Sequence, residues 1–347
     1  MKESILVASA SLVVSLLFSV GQLYAAAGFC SSQTDPTIVY CEDFSETNPL
    51  DAYIVNNPLS AGYSAYSSIS IINQTLVFRD SGGFAVANVV SNRTFDWQDS
   101  SLEGSVKFAT NPALRNLMGI FWVSGTPGPG YSYISWDLQL DEKAAYLIIV
   151  LNGNLVAYQA VAYPALQPDR SYVMRLDIEG SQKVRGYING VLELTADVDL
   201  SGFPPLQSIA FGGDSYYWYP VDQIFEYAVA RRIPRVCILY DPAKAVHSGA
   251  TLPIKLQLCD ARGNDVSSPS ITLHATSITQ VSTSTSGPVQ DAGHANPDND
   301  FRYNAGLGPT GGYIFNLKTT GLSTGTYNLN FTIVGASVAY SVPFQVK

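Results

Sequence analysis

The sequence predicts an all-β protein: a jelly-roll β-sandwich followed by a C-terminal immunoglobulin-like β-sandwich. Three observations carry that expectation. Helical periodicity is hard to find beyond the first 27 residues, whereas short β-branched and aromatic runs recur between clusters of Gly, Asn, Asp and Pro. Two of those runs are joined by Asn-Gly, which accepts the positive φ angles of a tight hairpin. The aromatic content also changes along the chain, with all four tryptophans lying before residue 233.

Residues 1–27 begin with Lys2, continue with an apolar run from Ile5 to Val20 and close on "LYAAAG". A charged start, an apolar stretch and small residues before a cleavage point after Ala25 or Ala27 read as a secretory signal peptide, a retained anchor being the alternative. Phe29 stands where a lipid-modified Cys30 would need a small residue. No other apolar run is long enough to cross a bilayer. About 320 mature residues suit two domains, set at 28–232 and 233–347.

In the first domain "SISIINQTLVFRD", "SLEGSVKFAT", "YSYISWDLQL", "AAYLIIVLNGNLVAYQAVAY", "SYVMRLDIEG" and "VRGYINGVLELTADV" read as strands. About eleven such runs between residues 35 and 230 suit two large antiparallel sheets packed face to face. "ARRIPR", Ala230–Arg235, is a short linker that restricts the orientation of the two domains. Beyond it about seven strands, among them "TLPIKLQLCD", "GYIFNLKTT" and "TYNLNFTIV", suit an immunoglobulin-like sandwich. The polar stretch "SITQVSTSTSGPVQDAGHANPDND" reads as a long exposed connection.

The net charge is −9. Residues 28–235 hold 12 Lys and Arg against 21 Asp and Glu, and residues 236–347 hold 6 against 6. An acidic first domain argues against nucleic acid and anionic membrane as partners, and is compatible with neutral sugars or a cation. The four cysteines fall into two local pairs, Cys30 with Cys41 and Cys237 with Cys259. In an exported protein these read as disulfides, one per domain.

Two resemblances follow from quoted residues. "YVMRLDIEGSQKVRGYINGVLELTADV" with "IAFGGDSYYWYPVDQIFEYAVARR" resembles the closing half of a concanavalin A-like, laminin-G-type jelly roll. It carries that family's Tyr-x-Asn-Gly hairpin at Tyr187, Asn189 and Gly190, and its final strand at Asp222, Ile224 and Tyr227. "YCEDFS", Tyr40–Ser45, is similar to the opening strand of such folds. The C-terminal region resembles a bacterial module named for a Pro-x-Lys-Phe motif, with Pro253 and Lys255 in place and Leu256 where the family has Phe. That second resemblance implies an accessory or surface-displayed module without catalytic residues.

The three histidines, His247, His274 and His294, all lie in the second domain. The first domain therefore has no Ser-His-Asp triad and no histidine metal site of its own. His294 stands near Asp291, Asp298 and Asp300 in a loop that reads as solvated. A glycoside hydrolase on a jelly roll needs two carboxylates, about 5–5.5 Å apart for retention or 6.5–9.5 Å for inversion. In "SWDLQLDEK", Asp137, Gln139 and Asp141 would share a strand face, but the two aspartates stand about 13 Å apart and Gln139 fills the intervening place. A partner acid from a neighbouring strand, Glu103, Glu193 or Asp177, is the remaining route. Relatives of the resembled fold hold a structural calcium where first and last strands pair. The resemblance implies such a site at Asp222 with Glu42 or Asp43, salt bridges or caps being the bland alternative.

"GGDSYYWYP" sets Tyr216, Tyr217, Trp218 and Tyr219 in a row, and strand alternation lets only one pair share a face. Tyr131, Tyr133, Trp136 and Asp137 lie in "PGPGYSYISWD", and Tyr63 and Tyr66 in "AGYSAYSS". Aromatic faces stack on sugar C–H groups, yet large aromatics are also ordinary core residues. The expectation is an exported, non-catalytic carbohydrate-binding protein, with polysaccharide or cell-surface glycan as partner. Tyr216, Trp218, Tyr131 and Trp136 would be the platforms, with Asp137 and Asp214 as polar partners. The rival readings are a polysaccharide hydrolase or lyase, and a structural or adhesive protein with a protein partner.

Overall fold

A computed structural model describes residues 28–33, 35–45, 53–56, 68–80, 83–109, 115–124, 131–217, 221–260, 262–282, 284–290, 296–334 and 338–347. The side chains of 53–56, 80, 83–87, 115–116, 214–217 and 221 also lie outside the description. The segment read as a signal peptide, together with Tyr63, Tyr66, Trp218, Tyr219, Asp291 and His294, falls outside the described residues.

The described chain is β-strand and turn without an α-helix. Before residue 233 it forms β1 (Ile38–Glu42), β2 (Tyr53–Asn56), β3 (Ser68–Ile72), β4 (Thr75–Asp80), β5 (Gly83–Asp96), β6 (Ser100–Ala109), β7 (Arg115–Ser124), β8 (Ser132–Gln139), β9 (Ala144–Leu151), β10 (Asn154–Ala162), β11 (Ser171–Glu179), β12 (Lys183–Ile188), β13 (Val191–Asp197), β14 (Leu206–Tyr217) and β15 (Val221–Arg232). After it come β16 (Arg235–Ile238), β17 (Thr251–Cys259), β18 (Leu273–Gln280), β19 (Thr285–Gly287), β20 (Arg302–Asn304), β21 (Gly312–Lys318), β22 (Gly325–Ile333) and β23 (Ala339–Val346).

The first fifteen strands make the jelly-roll sandwich. One sheet runs β13-β12-β11-β6-β15-β4-β3, with β1 also on β15, and the other runs β10-β9-β8-β7-β14-β5-β2. Every pairing is antiparallel. Between the sheets lie Phe78, Trp97, Phe108, Trp122, Trp136, Phe211 and Phe225, all fully buried. Burying a large apolar side chain contributes about 1.5–3 kcal/mol, so this layer sets the spacing of the sheets. The turns follow their chemistry: Asn152-Gly153 and Asn189-Gly190 both take positive φ, as two-residue hairpins require. "SISIINQTLVFRD", expected as one strand, is a hairpin instead, because Asn73 and Gln74 also adopt positive φ.

The remaining strands form two four-stranded sheets, β16-β17-β21-β20 and β19-β18-β22-β23. They close on a second core that includes Leu256, Phe315, Phe331 and Phe344. The polar stretch expected as an open connection is partly strand: β19 folds back on β18, pairing Thr285 with Gln280. Asp300 meets His274, with 2.8 Å between Oδ1 and Nδ1.

Only Ile233 and Pro234 separate β15 from β16. The Ile233 N–H donates to the Asp99 carbonyl at 2.6 Å, Arg235 forms an ion pair with Asp99, and Arg262 reaches Asp96 at 3.3 Å.

Both local cysteine pairs are disulfides, Cys30–Cys41 and Cys237–Cys259. The second ties the hydrogen-bonded strands β16 and β17 across 22 residues. In the chain-entropy account a loop of that size stabilises by about 3 kcal/mol. The double variant Cys237→Ser, Cys259→Ser is therefore expected to lose about that amount in urea unfolding; an unchanged midpoint would refute the expectation.

Candidate functional site

Strand β8 decides what each side of the seven-stranded sheet does. Successive side chains on a strand point to opposite faces. Ile134, Trp136 and Leu138 enter the core between the sheets, so Ser135, Asp137 and Gln139 stand on the other face. Trp136 therefore corrects the sequence reading. It is fully buried, its Nε1–H donates to the Tyr187 carbonyl at 3.0 Å, and its ring lies against Gly186 of the opposite sheet. With no face toward solvent it cannot be a stacking platform.

Asp137 sits mid-face and is 1% exposed. Its strand neighbours are Gly119 on β7 and, beyond that, Gly212 on β14, in register on one row. Gly119 has a steric reason: a Cβ there would press into Asp137 Oδ1 and lie 2.5 Å from the Trp136 carbonyl oxygen. The Ser135 hydroxyl donates to Asp137 Oδ2 at 2.6 Å. Gln139, 4% exposed, is on the same face, and among the described residues its Nε2 has no hydrogen-bond partner. A buried amide donor without an acceptor costs about 1–3 kcal/mol, so this nitrogen is suited to a hydroxyl supplied from outside. Burial raises the Tyr133 hydroxyl pKa and the Asp137 carboxylate raises it further.

An apolar patch adjoins these polar groups. Val90, Val123 and Ala210 form a small second cluster with Phe121, Tyr131 and Tyr133 packed on it. Tyr131 and Tyr133 have ring centroids 5.5 Å apart, and Tyr133 meets Phe121 at 6.2 Å. Tyr131 thus lies on the face that carries Asp137, partly buried. The open aromatic is one the sequence reading did not select. Tyr158 of β10 pairs with Ile148, which pairs with Ser135, and so belongs to the same face. It is 57% exposed and its ring stands 5.5 Å from that of Tyr146, the residue opposite Asp137. Leu155, 63% exposed, joins it through the row Leu155, Val150 and Tyr133.

The other candidates separate. Asp214 and Tyr216 lie on β14, Asp214 pairing with Leu117 and Tyr216 with Arg115; their side chains are outside the description, and Trp218 is outside it altogether. Asp141 does not continue β8: the strand ends at Gln139 and a turn follows, whose Glu142 meets the Tyr146 hydroxyl. Glu103, Asp177 and Glu193 belong to β6, β11 and β13, in the opposite sheet. Both layers separate them from Asp137, so none is its partner acid. Glu103 and Asp177 sit in an ion-pair network instead, with Arg231 3.6 Å from Glu103 and Arg175 3.1 Å from Asp177. Burial lifts the Asp177 carboxyl above its ordinary range, and Arg175 draws it partly back.

The implied calcium ligands do not converge. First and last strands do pair, but Glu42 is opposite Ala228, six residues along β15 from Asp222, or about 20 Å. Asp222 accepts two hydrogen bonds from Arg79, at 2.8 and 2.7 Å. Asp43 accepts from the Cys30 N–H at 2.9 Å and the Ser45 hydroxyl at 2.5 Å. Burial pushes its carboxyl up, but these bonds outweigh that and hold it below the usual range. Glu42 accepts from the Phe44 N–H at 2.6 Å. Turn geometry and strand register engage all three separately.

No family model matches the chain, and no curated protein matches it. Among solved structures it is similar to a Bacillus licheniformis β-glucanase, with a TM-score of 0.44 and 13% identity over 56% of this chain and 97% of that one. The κ-carrageenase of Pseudoalteromonas carrageenovora gives a TM-score of 0.41 and 12% identity, over 55% and 92%. The carbohydrate-binding module CBM66 from Bacillus subtilis gives 0.36 and 12%, over 47% and 91%. Identities this low leave the chemistry of the face to this chain's own residues.

Two carboxylates lie among the described side chains on the strands of this face: Asp96 at the end of β5, engaged by Arg262, and Asp137. Asp137 can accept hydrogen bonds from hydroxyls, Gln139 can donate to one, and Tyr158 can stack on C–H groups. Ser135 and Gln139, the neighbours of Asp137 two residues either way, are neutral.

Proposed function

We propose that this is an exported glycan-binding protein that holds neutral polysaccharide on the Asp137-bearing face of the seven-stranded sheet, at its exposed β10 edge, without cleaving it. The observation that carries the reading is the company of Asp137: neutral Ser135 and Gln139 beside it, and exposed Tyr158 on the same face. A carboxylate paired with an amide donor matches the hydroxyls of a sugar rim, and a tyrosine ring matches its apolar side. The acidic surface fits a neutral ligand better than a sulfated or carboxylated one. Residues 28–232 carry the ligand in this reading, and residues 233–347 space it from whatever the chain is displayed on.

The test is retention on a panel of insoluble polysaccharides, with analysis of released sugar. Tyr158→Ala is expected to weaken retention by about tenfold or more, on the scale of one stacking contact, at unchanged melting temperature. Asp137→Asn is expected to weaken it with no sugar released by either protein. Release of oligosaccharide by the native chain, abolished by Asp137→Asn, would replace this reading with a hydrolase. Asp214, two strands from Asp137 and in the row of Leu117 and Gln139, is then the second acid to substitute. A folded protein retained on no polysaccharide would leave the protein-partner reading.

A further inference from the structure

We propose that Glu142 selects which sugars this chain accepts: its carboxylate receives ligand hydroxyls beside Tyr158 and turns away glycans that carry acid groups. The proposal rests on the preceding reading and adds a residue that reading does not use. Glu142 belongs to the turn between β8 and β9 and is exposed. It accepts the hydrogen bond of the Tyr146 hydroxyl, and among the described residues it has no ion pair and no second hydrogen bond. An exposed glutamate usually samples many rotamers. This one is tethered to a ring that is 4% exposed and seated in β9 opposite Asp137, so its carboxylate is held in place before any ligand arrives.

The surroundings give that carboxylate a ligand-sized neighbourhood. Tyr158 stands 5.5 Å from Tyr146, ring to ring, so the open tyrosine and the tethered acid flank one place. On the same face of β10, Ala160 lies opposite Tyr146 and Ala162 opposite Ala144, and both alanines are exposed. Their methyl groups leave a low shelf beside Tyr158, about 7 Å long for each two residues. A pyranose on that shelf sets its C–H side on Tyr158 and its hydroxyls toward Glu142. The polar atoms on offer there accept: the second carboxylate oxygen, and the phenol oxygen of Tyr146, whose proton is given to Glu142. Burial raises the Tyr146 pKa, and the Glu142 bond and the charges of Glu142, Tyr158 and Asp141 raise it further, so the hydroxyl stays protonated. The ligand must therefore donate. A neutral sugar does so, whereas a sugar carboxylate or sulfate at the same place meets like charge. Asp137 is 1% exposed, which makes Glu142 the acid an arriving glycan meets first.

The test compares the polysaccharide that best retains the native chain with the same polymer after part of its primary hydroxyls are oxidised to carboxylates. The native chain is expected to prefer the neutral form by about fivefold or more, the scale of one charge pair in water at contact distance. Glu142→Gln keeps an oxygen for the Tyr146 hydroxyl, so its melting temperature should match that of the native chain. It is expected to hold the neutral form about threefold less tightly, an amide being a weaker acceptor than a carboxylate, and to lose most of the preference. Asp197→Asn removes an exposed carboxylate from β13 in the opposite sheet and should keep the native preference. An unchanged preference in Glu142→Gln overturns the proposal. So does an equal loss in Asp197→Asn, which would make the selection a property of net charge, and so does a native chain that holds both forms alike. In all three cases retention on the neutral polymer leaves the glycan reading standing. A native chain retained on no polysaccharide overturns that reading and this proposal together.

Discussion

Trp136→Ala is expected to destabilise the first sandwich by about 3–5 kcal/mol, the range for removing a fully buried tryptophan or phenylalanine. The indole spans the two sheets: it originates on β8, fills the core, and donates to the Tyr187 carbonyl on β12. Gly186 beside it has no side chain because a Cβ there would come within 2.7 Å of the indole ring. Truncation leaves a cavity against Gly186, which has nothing to fill it with, and strips a buried carbonyl of its donor. At about 2–4 °C per kcal/mol for a sandwich of this size, the melting temperature should fall by roughly 10 °C. Differential scanning calorimetry of the native chain and the variant reads this directly. A binding platform would behave oppositely, losing retention at constant melting temperature, so Trp136→Ala and Tyr158→Ala form a contrasting pair. Equal melting temperatures for Trp136→Ala and the native chain would contradict the packing described for the indole.

Gly119→Ala should cost more than an ordinary small-to-large change. The added methyl would meet the Asp137 carboxylate on one side and the Trp136 carbonyl, at 2.5 Å, on the other. A side chain can rotate away, but a carbonyl fixed in the β7–β8 ladder cannot. Overpacking of this kind costs about 1–3 kcal/mol, sometimes more. The expected result is a loss at or above the top of that range, together with weaker polysaccharide retention because Asp137 is displaced. Adding Asp137→Gly should recover part of the stability and none of the retention. A Gly119→Ala protein as stable as the native chain would mean that the glycine at 119 is not required by close approach.

Much of the architecture was legible because it depends on local chemistry. Asn152-Gly153 and Asn189-Gly190 announce their hairpins, and the short-spaced cysteines pair as their separation suggests. The pairing of first and last strands could also be anticipated, but a pattern shows which strands meet, not at which residue. Hence Glu42 and Asp222 were assigned to one site although the register sets them six residues apart. The reading of Trp136 with Asp137 failed for a simpler reason. Adjacent residues on a strand face opposite ways, so "SWDLQL" already divides into Trp136, Leu138 and Leu140 inside and Ser135, Asp137 and Gln139 outside. Tyr158 was not legible. "LVAYQAVAY" is nearly uniform in polarity, and its exposure comes from β10 ending the sheet, a property of tertiary order. The turn at Asn73-Gln74 was hidden because it lacks the glycine that usually marks one.

The junction of the two sandwiches also determines how the protein bears tension. β15 is an interior strand, held by β6 on one side and by β4 and β1 on the other, and it passes into β16 through two residues. A pull transmitted from the second sandwich therefore acts along the axis of β15, while its hydrogen bonds lie perpendicular to that axis. All the bonds on both sides are loaded together in shear rather than peeled one at a time. A chain anchored through its C-terminal half and gripping a ligand on the first sandwich is thus loaded through one of the most extensively bonded strands it has.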